Sequence, residues 1–237
     1  EGVKWIPEEE MELYEYQKEA VKWMVKREES GEGKVRGGIL ADEVGLGKTF
    51  MTISAMKENK KERTLILTPK SLISQWENEF KKFAPEIIVS TDITNKECEV
   101  MIASHNKLNG RNVCFESSEM GKEKWDRFVI DEVHVIKNEK SKLHKACNYL
   151  QADIKWGLTA TPLMNKMEDY KNLLTWVGVP KEIISRYKKY VQETFILRRT
   201  KEDVNMKLPE CEVEYKRLKF SEEELVLYTE VFQKMKT

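Results

Sequence analysis

Residues 38–49 read Gly-Ile-Leu-Ala-Asp-Glu-Val-Gly-Leu-Gly-Lys-Thr, and the fold turns on this stretch. The apolar run 38–41 has the character of a buried strand, and Gly47-Lys48-Thr49 opens the helix that follows. Glycines there let backbone N–H groups approach phosphate oxygens, and the helix start adds the positive end of its dipole. In such a loop Lys48 reaches the β- and γ-phosphates of a nucleotide, and the Thr49 hydroxyl sits on Mg²⁺. The general spacing GxxxxGK[ST] is not met, because Asp42 stands where the first glycine belongs. A glycine-rich turn without a ligand is the alternative for this stretch taken alone.

A second element, Asp131-Glu132-Val133-His134, follows another apolar run, 128–130. Its acids emerge at the carboxyl end of a strand, where open α/β sheets bind ligands. Asp131 is expected on the metal side, with Glu132 orienting or activating the attacking water. A lone Asp-Glu pair is more often a solvated surface feature. Two such elements, each behind its own hydrophobic strand, form the halves of a magnesium–ATP site.

Short β-prone runs at 38–41, 64–68, 87–90, 100–104, 128–131 and 156–160 alternate with helical patterns at 49–57, 71–83 and 141–150. The pattern at 71–83 carries Leu72, Trp76, Phe80 and Phe83 on one face, with Ser71 as N-cap. The order predicts an α/β fold, a doubly wound and mostly parallel sheet with helices on both faces. Helical flanks are expected at 14–27 and from Pro162 to about residue 194. Residues 107–125 are polar and turn-rich and read as a loop. Ser221 with Glu224 three residues on is a capping box, followed by the stripe Leu225, Tyr228, Phe232 and Met235.

Lys plus Arg equals Asp plus Glu at 41 each, so net charge gives no support for nucleic-acid binding and any basic surface must be local. No run approaches the ~18 apolar residues of a membrane span, and no signal-peptide pattern opens the chain. Cys98, Cys114, Cys147 and Cys211 lack metal-ligand spacing and read as free thiols. Cys147 shares an apolar helical stripe with Leu143, Ala146 and Leu150, the mark of core packing.

Taken together, these residues resemble the first lobe of a Swi/Snf-type ATPase within the helicase-like superfamily 2. Leu13-Tyr14-Glu15-Tyr16-Gln17 looks like the family's adenine-reading Q element; an amide donor and acceptor on Gln17 suit the N6 and N7 edge of adenine. Residues 37–49 look like motif I, where Asp42 is the family's usual residue. Leu67-Thr68-Pro69-Lys70-Ser71-Leu72 with Gln75-Trp76 matches motif Ia, and Ile102-Ala103-Ser104-His105 loosely matches motif Ib. Residues 129–134, continued by Ile136-Lys137-Asn138, match motif II, and Gly157-Leu158-Thr159-Ala160-Thr161-Pro162 matches motif III. Ile196-Leu197-Arg198-Arg199-Thr200-Lys201 resembles the segment that closes the lobe.

The resemblance implies a RecA-like lobe at 37–209, a flank with the Q element at 1–36, and at 210–237 the start of a connection to a second RecA-like lobe. It implies ATP and Mg²⁺ as ligands. Gln17, Asp42, Glu43, Val44, Gly45, Leu46, Gly47, Lys48 and Thr49 would bind ATP, Thr49 and Asp131 the metal. Lys48, Asp131 and Glu132 would be catalytic, with His134, Thr159 and Thr161 as coupling residues. Double-stranded DNA is the implied partner, met through phosphate contacts, with Lys70, Ser71, Ser104 and His105 as candidates. The second lobe would supply arginine fingers, leaving Arg198 and Arg199 to local ion pairs. The implied activity is ATP-driven translocation on duplex DNA, remodelling chromatin or displacing bound proteins, with the isolated lobe poorly active. A strand-separating helicase and a nucleotide-gated scaffold are the competing readings. The nucleus is the expected compartment in a eukaryote.

Overall fold

A computed structural model of the chain describes residues 12–109, 119–160, 167–206, 216 and 219–234. It separates into two compact units, Glu1–Met206 and Lys207–Thr237. The first is built on strands β1 (Gly37–Leu40), β2 (Thr64–Thr68), β3 (Val89–Ser90), β4 (Val100–Ser104), β5 (Trp125–Asp131), β6 (Ala152–Leu158) and β7 (Ile196–Leu197). They form one sheet in the order β3-β4-β2-β5-β6-β1-β7, with every pairing parallel.

Strands covered on both faces must be apolar almost throughout, and β1, β2 and β4 are buried at every position. Side chains alternate between the two faces. Leu65, Leu67, Met101, Ala103, Phe128 and Ile130 enter one core. There they meet helices α4 (His105–Asn109), α6 (Lys142–Tyr149), α7 (Met167–Val177), α8 (Lys181–Arg186) and α9 (Lys188–Phe195). Ile66, Val100, Ile102 and Val129 enter the other, against α1 (Glu15–Glu29), α2 (Lys48–Glu58) and α3 (Ile73–Phe83). The predicted doubly wound sheet is therefore present, and it is wholly parallel. Cys147 belongs to the first core, and its burial pushes the thiol up to about 12, the state of a packing residue rather than a reactive one.

Several boundaries differ from the sequence reading. The expected loop at 107–125 contains the end of α4, a short helix α5 (Glu119–Lys122) and the first residue of β5; residues 110–118 lie outside those described. One turn of helix is too short to show a period. Strands β5 and β6 begin earlier than expected because Arg127 and Lys155 interrupt their apolar pattern. The run at 87–90 shortens to Val89–Ser90, and the closing segment supplies a seventh strand, β7, too brief to alternate.

Arg127 is tolerated in β5 because of a buried polar network toward the amino ends of the strands. Glu28, at the end of α1, accepts hydrogen bonds from Arg127 Nε at 2.7 Å, Trp156 Nε1 at 2.8 Å and Asn59 Nδ2 at 2.7 Å. Arg127 Nη2 also bonds Glu28 and donates to the Asn59 carbonyl at 2.7 Å. A buried ion pair is stable only when its remaining donors and acceptors are met in this way.

In the second unit, α10 (Glu222–Lys234) starts with the predicted capping box: Glu224 N donates to Ser221 Oγ at 3.2 Å, and Ser221 N to Glu224 Oε2 at 2.8 Å. Its rings Tyr228 and Phe232 stack at 5.9 Å between centroids. Met235 lies outside the described residues.

Candidate nucleotide site

The sheet register brings the quoted motifs into one row. Leu40 pairs with Leu197 on one side and Leu158 on the other, and Leu158 pairs in turn with Asp131. Motifs I, II and III and the closing segment therefore leave the sheet at the carboxyl ends of four adjacent strands, about 4.8 Å apart. Thr159 lies between the other two motifs, buried, its N–H donating to the Leu40 carbonyl at 3.1 Å. Thr161 falls outside the described residues.

The phosphate loop between β1 and α2 depends on glycine. Gly45 and Gly47 have φ of 90° and 83°, a region that costs an L side chain. A Cβ on Gly47 would stand 2.5 Å from Gln17 Nε2. Lys48 Nζ donates to the carbonyls of Asp42 at 2.7 Å and Glu43 at 3.2 Å. Partial burial holds its ammonium below the ordinary lysine value, opposed by the carboxylates of Asp42, Glu132, Asp131 and Glu43. Thr49 is half-buried in the first turn of α2, and Val44 is exposed at the loop tip.

Across the row, Glu132 has φ of 54°, a left-handed conformation that costs a non-glycine residue about 1–3 kcal/mol and recurs at functional sites. The turn over Val133–Ile136 fits against β6 only because residue 157 is glycine: a Cβ there would lie 2.9 Å from the Val133 methyls. Glu132 Oε2 and His134 Nδ1 are 3.2 Å apart, near enough for an ion pair when the imidazole is protonated. They are not aligned as a hydrogen bond, and both atoms are buried without a partner among the described residues.

Residues 16–190 match the SNF2-related domain. The chain belongs to this family. It is 33% identical to the human protein named SWI/SNF-related matrix-associated actin-dependent regulator of chromatin subfamily A member 1, over 83% of this chain and 22% of that protein. A viral relative, the probable global transactivator of Orgyia pseudotsugata multicapsid polyhedrosis virus, is 28% identical over 92% of this chain and 48% of its own length. Among solved structures, the Sulfolobus solfataricus SWI2/SNF2 ATPase core in complex with dsDNA superposes with a TM-score of 0.70 at 28% identity, over 83% of this chain and 46% of that one. The chain is thus a Swi/Snf-type lobe and spans half or less of the length of these relatives.

Within this SNF2-related lobe the Asp-Glu prefix of motif I serves a purpose that its sequence does not reveal. Asp42 and Glu43, expected among the nucleotide-binding residues, engage the closing segment through their carboxylates. Arg199 donates to Asp42 from its backbone N at 2.9 Å and from Nε at 3.2 Å, and Nη2 completes a bidentate pair. Nη1 bonds the Tyr16 carbonyl, and the guanidinium lies 5.3 Å from the centre of the Tyr16 ring. Glu43 accepts from the Lys201 backbone N at 2.8 Å. Arg199 makes the local ion pair expected of it, and through it ties the Q element, motif I and the lobe exit together, whereas Arg198 is exposed. Asp42 is 0% exposed and the Arg199 side chain 13%, so Arg199→Ala would strand a buried carboxylate. We expect a loss of about 3 kcal/mol, read from the urea midpoint, with part recovered when Asp42 is also replaced by alanine. An unchanged midpoint would show that the pair carries no stability.

Gln17 is likewise committed to the loop. Its Nε2 donates to the Leu46 carbonyl at 3.1 Å and its Oε1 accepts from the Tyr14 backbone N at 3.0 Å. The amide expected to read adenine holds the start of α1 against the phosphate loop in this conformation. Leu46 itself is buried, and its carbonyl also accepts from the Tyr16 hydroxyl at 3.2 Å.

The DNA candidates divide. Lys70 and Ser71 are exposed on a 3₁₀ turn after β2. Ser104 is 7% exposed at the end of β4, too enclosed for its side chain to serve as the expected phosphate contact. His105 is turned inward, its Nε2 donating to the Asp131 carbonyl at 3.0 Å, and burial holds its pKa below the ordinary histidine value. The loose motif Ib match concealed this, because His105 reads as polar in a segment whose strand end is packed.

Proposed function

We propose that this chain is the ATP-binding first motor lobe of a DNA-dependent ATPase that translocates on duplex DNA, remodelling chromatin or displacing bound proteins. The observation that carries the reading is the single row in which Lys48, the Asp131-Glu132 pair and Thr159 meet at the carboxyl edge of the sheet. The double-stranded DNA in the Sulfolobus structure supports the choice of partner.

The geometry suits ATP with Mg²⁺. The Thr49 hydroxyl and Asp131 carboxylate are hard oxygen donors, and magnesium commonly takes only one or two protein oxygens, completing its shell from water and phosphate. Bound there, magnesium would neutralise charge on the β- and γ-phosphates. Backbone N–H groups of the glycine loop and the Lys48 ammonium would hold the same phosphates. Glu132, whose buried Oε2 makes no hydrogen bond among the described residues, would orient the attacking water and accept its proton. A recess of about 490 Å³ beside the Q element, lined by Tyr14, Tyr16, Glu19, Val204, Asn205 and Met206, offers aromatic surface to a base. Lys70 and Ser71 would contact DNA phosphates, which position without reading sequence.

The test is ATP hydrolysis by the longer protein with and without duplex DNA, beside its Glu132→Gln variant. Duplex should stimulate the native protein, and the variant should retain ATP affinity while losing about 10²–10⁴-fold in kcat. An unchanged rate in the variant would remove Glu132 from the mechanism. Binding of ATP without turnover in the native protein would favour a nucleotide-gated scaffold, and strand separation in a duplex-unwinding assay a helicase.

A further inference from the structure

Asp131 is held by side chains from segments on which the function reading places DNA. Its Oδ2 accepts two hydrogen bonds, from Thr68 Oγ1 at 3.0 Å and from Trp76 Nε1 at 3.0 Å. Its Oδ1 accepts from the Glu132 backbone N at 3.0 Å, and its own carbonyl takes the His105 bond. Thr68 is the last residue of β2 and Trp76 lies on α3; both are buried. Between them runs the 3₁₀ turn Lys70–Leu72, capped by Pro69, which exposes the two DNA candidates Lys70 and Ser71 and rests Leu72 on the core. The carboxylate expected to face the metal is therefore gripped from both ends of the turn expected to face DNA.

We propose that Thr68 and Trp76 are positioning residues that set the orientation of the Asp131 carboxylate, and that a shift of the 69–72 turn on DNA is transmitted through them to the metal side of the site. The inference rests on the function proposed above, which assigns Asp131 to magnesium and Lys70 and Ser71 to DNA. The physical reason is directional. A carboxylate bonded to two fixed donors on one oxygen has little rotational freedom, so either donor's movement is felt at the other oxygen. Indole N–H is a donor only and the ring is wedged in the core against Phe80, with centroids 6.2 Å apart. It cannot follow the carboxylate, so it dictates its place. Groups that orient metal-binding side chains commonly contribute 10–100-fold to metal affinity.

The experiment uses the longer protein and two readouts besides turnover: thermal stability, and equilibrium binding of a fluorescent ATP analogue as Mg²⁺ is titrated, with and without duplex DNA. Thr68→Val removes the hydroxyl at nearly constant volume, and Trp76→Phe removes the N–H while keeping a ring. Each should raise the Mg²⁺ concentration for half-maximal analogue binding by about 10-fold and flatten its dependence on DNA. Thr68→Ser, which restores the hydroxyl, should return both toward native values. A core control away from Trp76, Val191→Ala on α9, should lower thermal stability but leave the magnesium midpoint alone. If Thr68→Val and Trp76→Phe keep the native midpoint and the native response to DNA, the proposal is wrong. If Val191→Ala shifts the midpoint as much as they do, the effect is general loosening and the positioning role is likewise overturned. If the native protein itself shows no response to duplex DNA, it is the function reading that fails.

Discussion

Residues 1–237 alone are expected to hydrolyse ATP about 10³–10⁵ times more slowly than the longer protein saturated with duplex DNA, the range that a missing arginine finger accounts for in related phosphoryl-transfer enzymes. The arginine packed against motif I, Arg199, and the two buried toward the amino ends of the strands, Arg127 and Arg27, are already committed. Arg199 pairs with Asp42, Arg127 with Glu28, and Arg27 donates to the carbonyls of Gly37 and Val35. None of these stands ready to neutralise charge developing on a γ-phosphate. On the proposed function this lobe would offer a cradle, a metal side and a carboxylate for the water, so nucleotide binding should survive where turnover does not. A single-turnover assay beside an ATP-binding titration separates the two. Rates within tenfold of the longer protein, indifferent to DNA, would mean that the site is complete in one lobe and that the two-lobe engine is misassigned.

Breaking the Glu28–Arg127 pair should be the most destabilising single change at the far end of the sheet. The two side chains are 1% and 2% exposed. Arg127→Met leaves the Glu28 carboxylate buried with only Trp156 and Asn59 as donors, and removing one partner of such a pair costs about 3–5 kcal/mol. Against a total stability of about 5–15 kcal/mol that is a large share. For a chain of this size it corresponds to a melting temperature roughly 6–20 °C lower. Adding Glu28→Leu should recover part of the loss, because the stranded charge goes. Recovery should be incomplete, since Trp156 Nε1 then loses its buried acceptor at about 1–3 kcal/mol. Calorimetry on the native, single and double variants measures this directly; a single variant melting within 2 °C of native would contradict the account. The network lies at the opposite strand ends from the nucleotide row, so surviving molecules should keep their ATP affinity.

The two expectations share a cause, which is where charges sit relative to the sheet. At the amino ends of the strands, burial demands full pairing, and Glu28, Arg127, Trp156 and Asn59 achieve it. At the carboxyl ends the chain keeps Glu132 in a costly backbone conformation with a buried carboxylate oxygen that makes no hydrogen bond among the described residues. Partial satisfaction at one end and completeness at the other is what a site and a foundation respectively require.

Sequence by itself determined the class of fold and the place of its two central motifs. Apolar strands of four to seven residues with glycine or acid at their carboxyl ends are local signals, read from periodicity and the chemistry of a phosphate loop. The capping box at Ser221 and the core position of Cys147 were legible for the same reason. Tertiary structure alone decided which residues stand together. Nothing in Asp42 announces that its carboxylate belongs to Arg199, because their pairing depends on β7 lying beside β1. Trp76 reads as one more apolar residue on the face of α3, and only the fold turns its N–H onto Asp131. His105 and Ser104 looked available for DNA because a sequence shows polarity and not depth. Short elements such as α5 and β7 escape periodicity, and long-range hydrogen bonds leave no period at all; both are set by the sheet order, which a linear pattern does not contain.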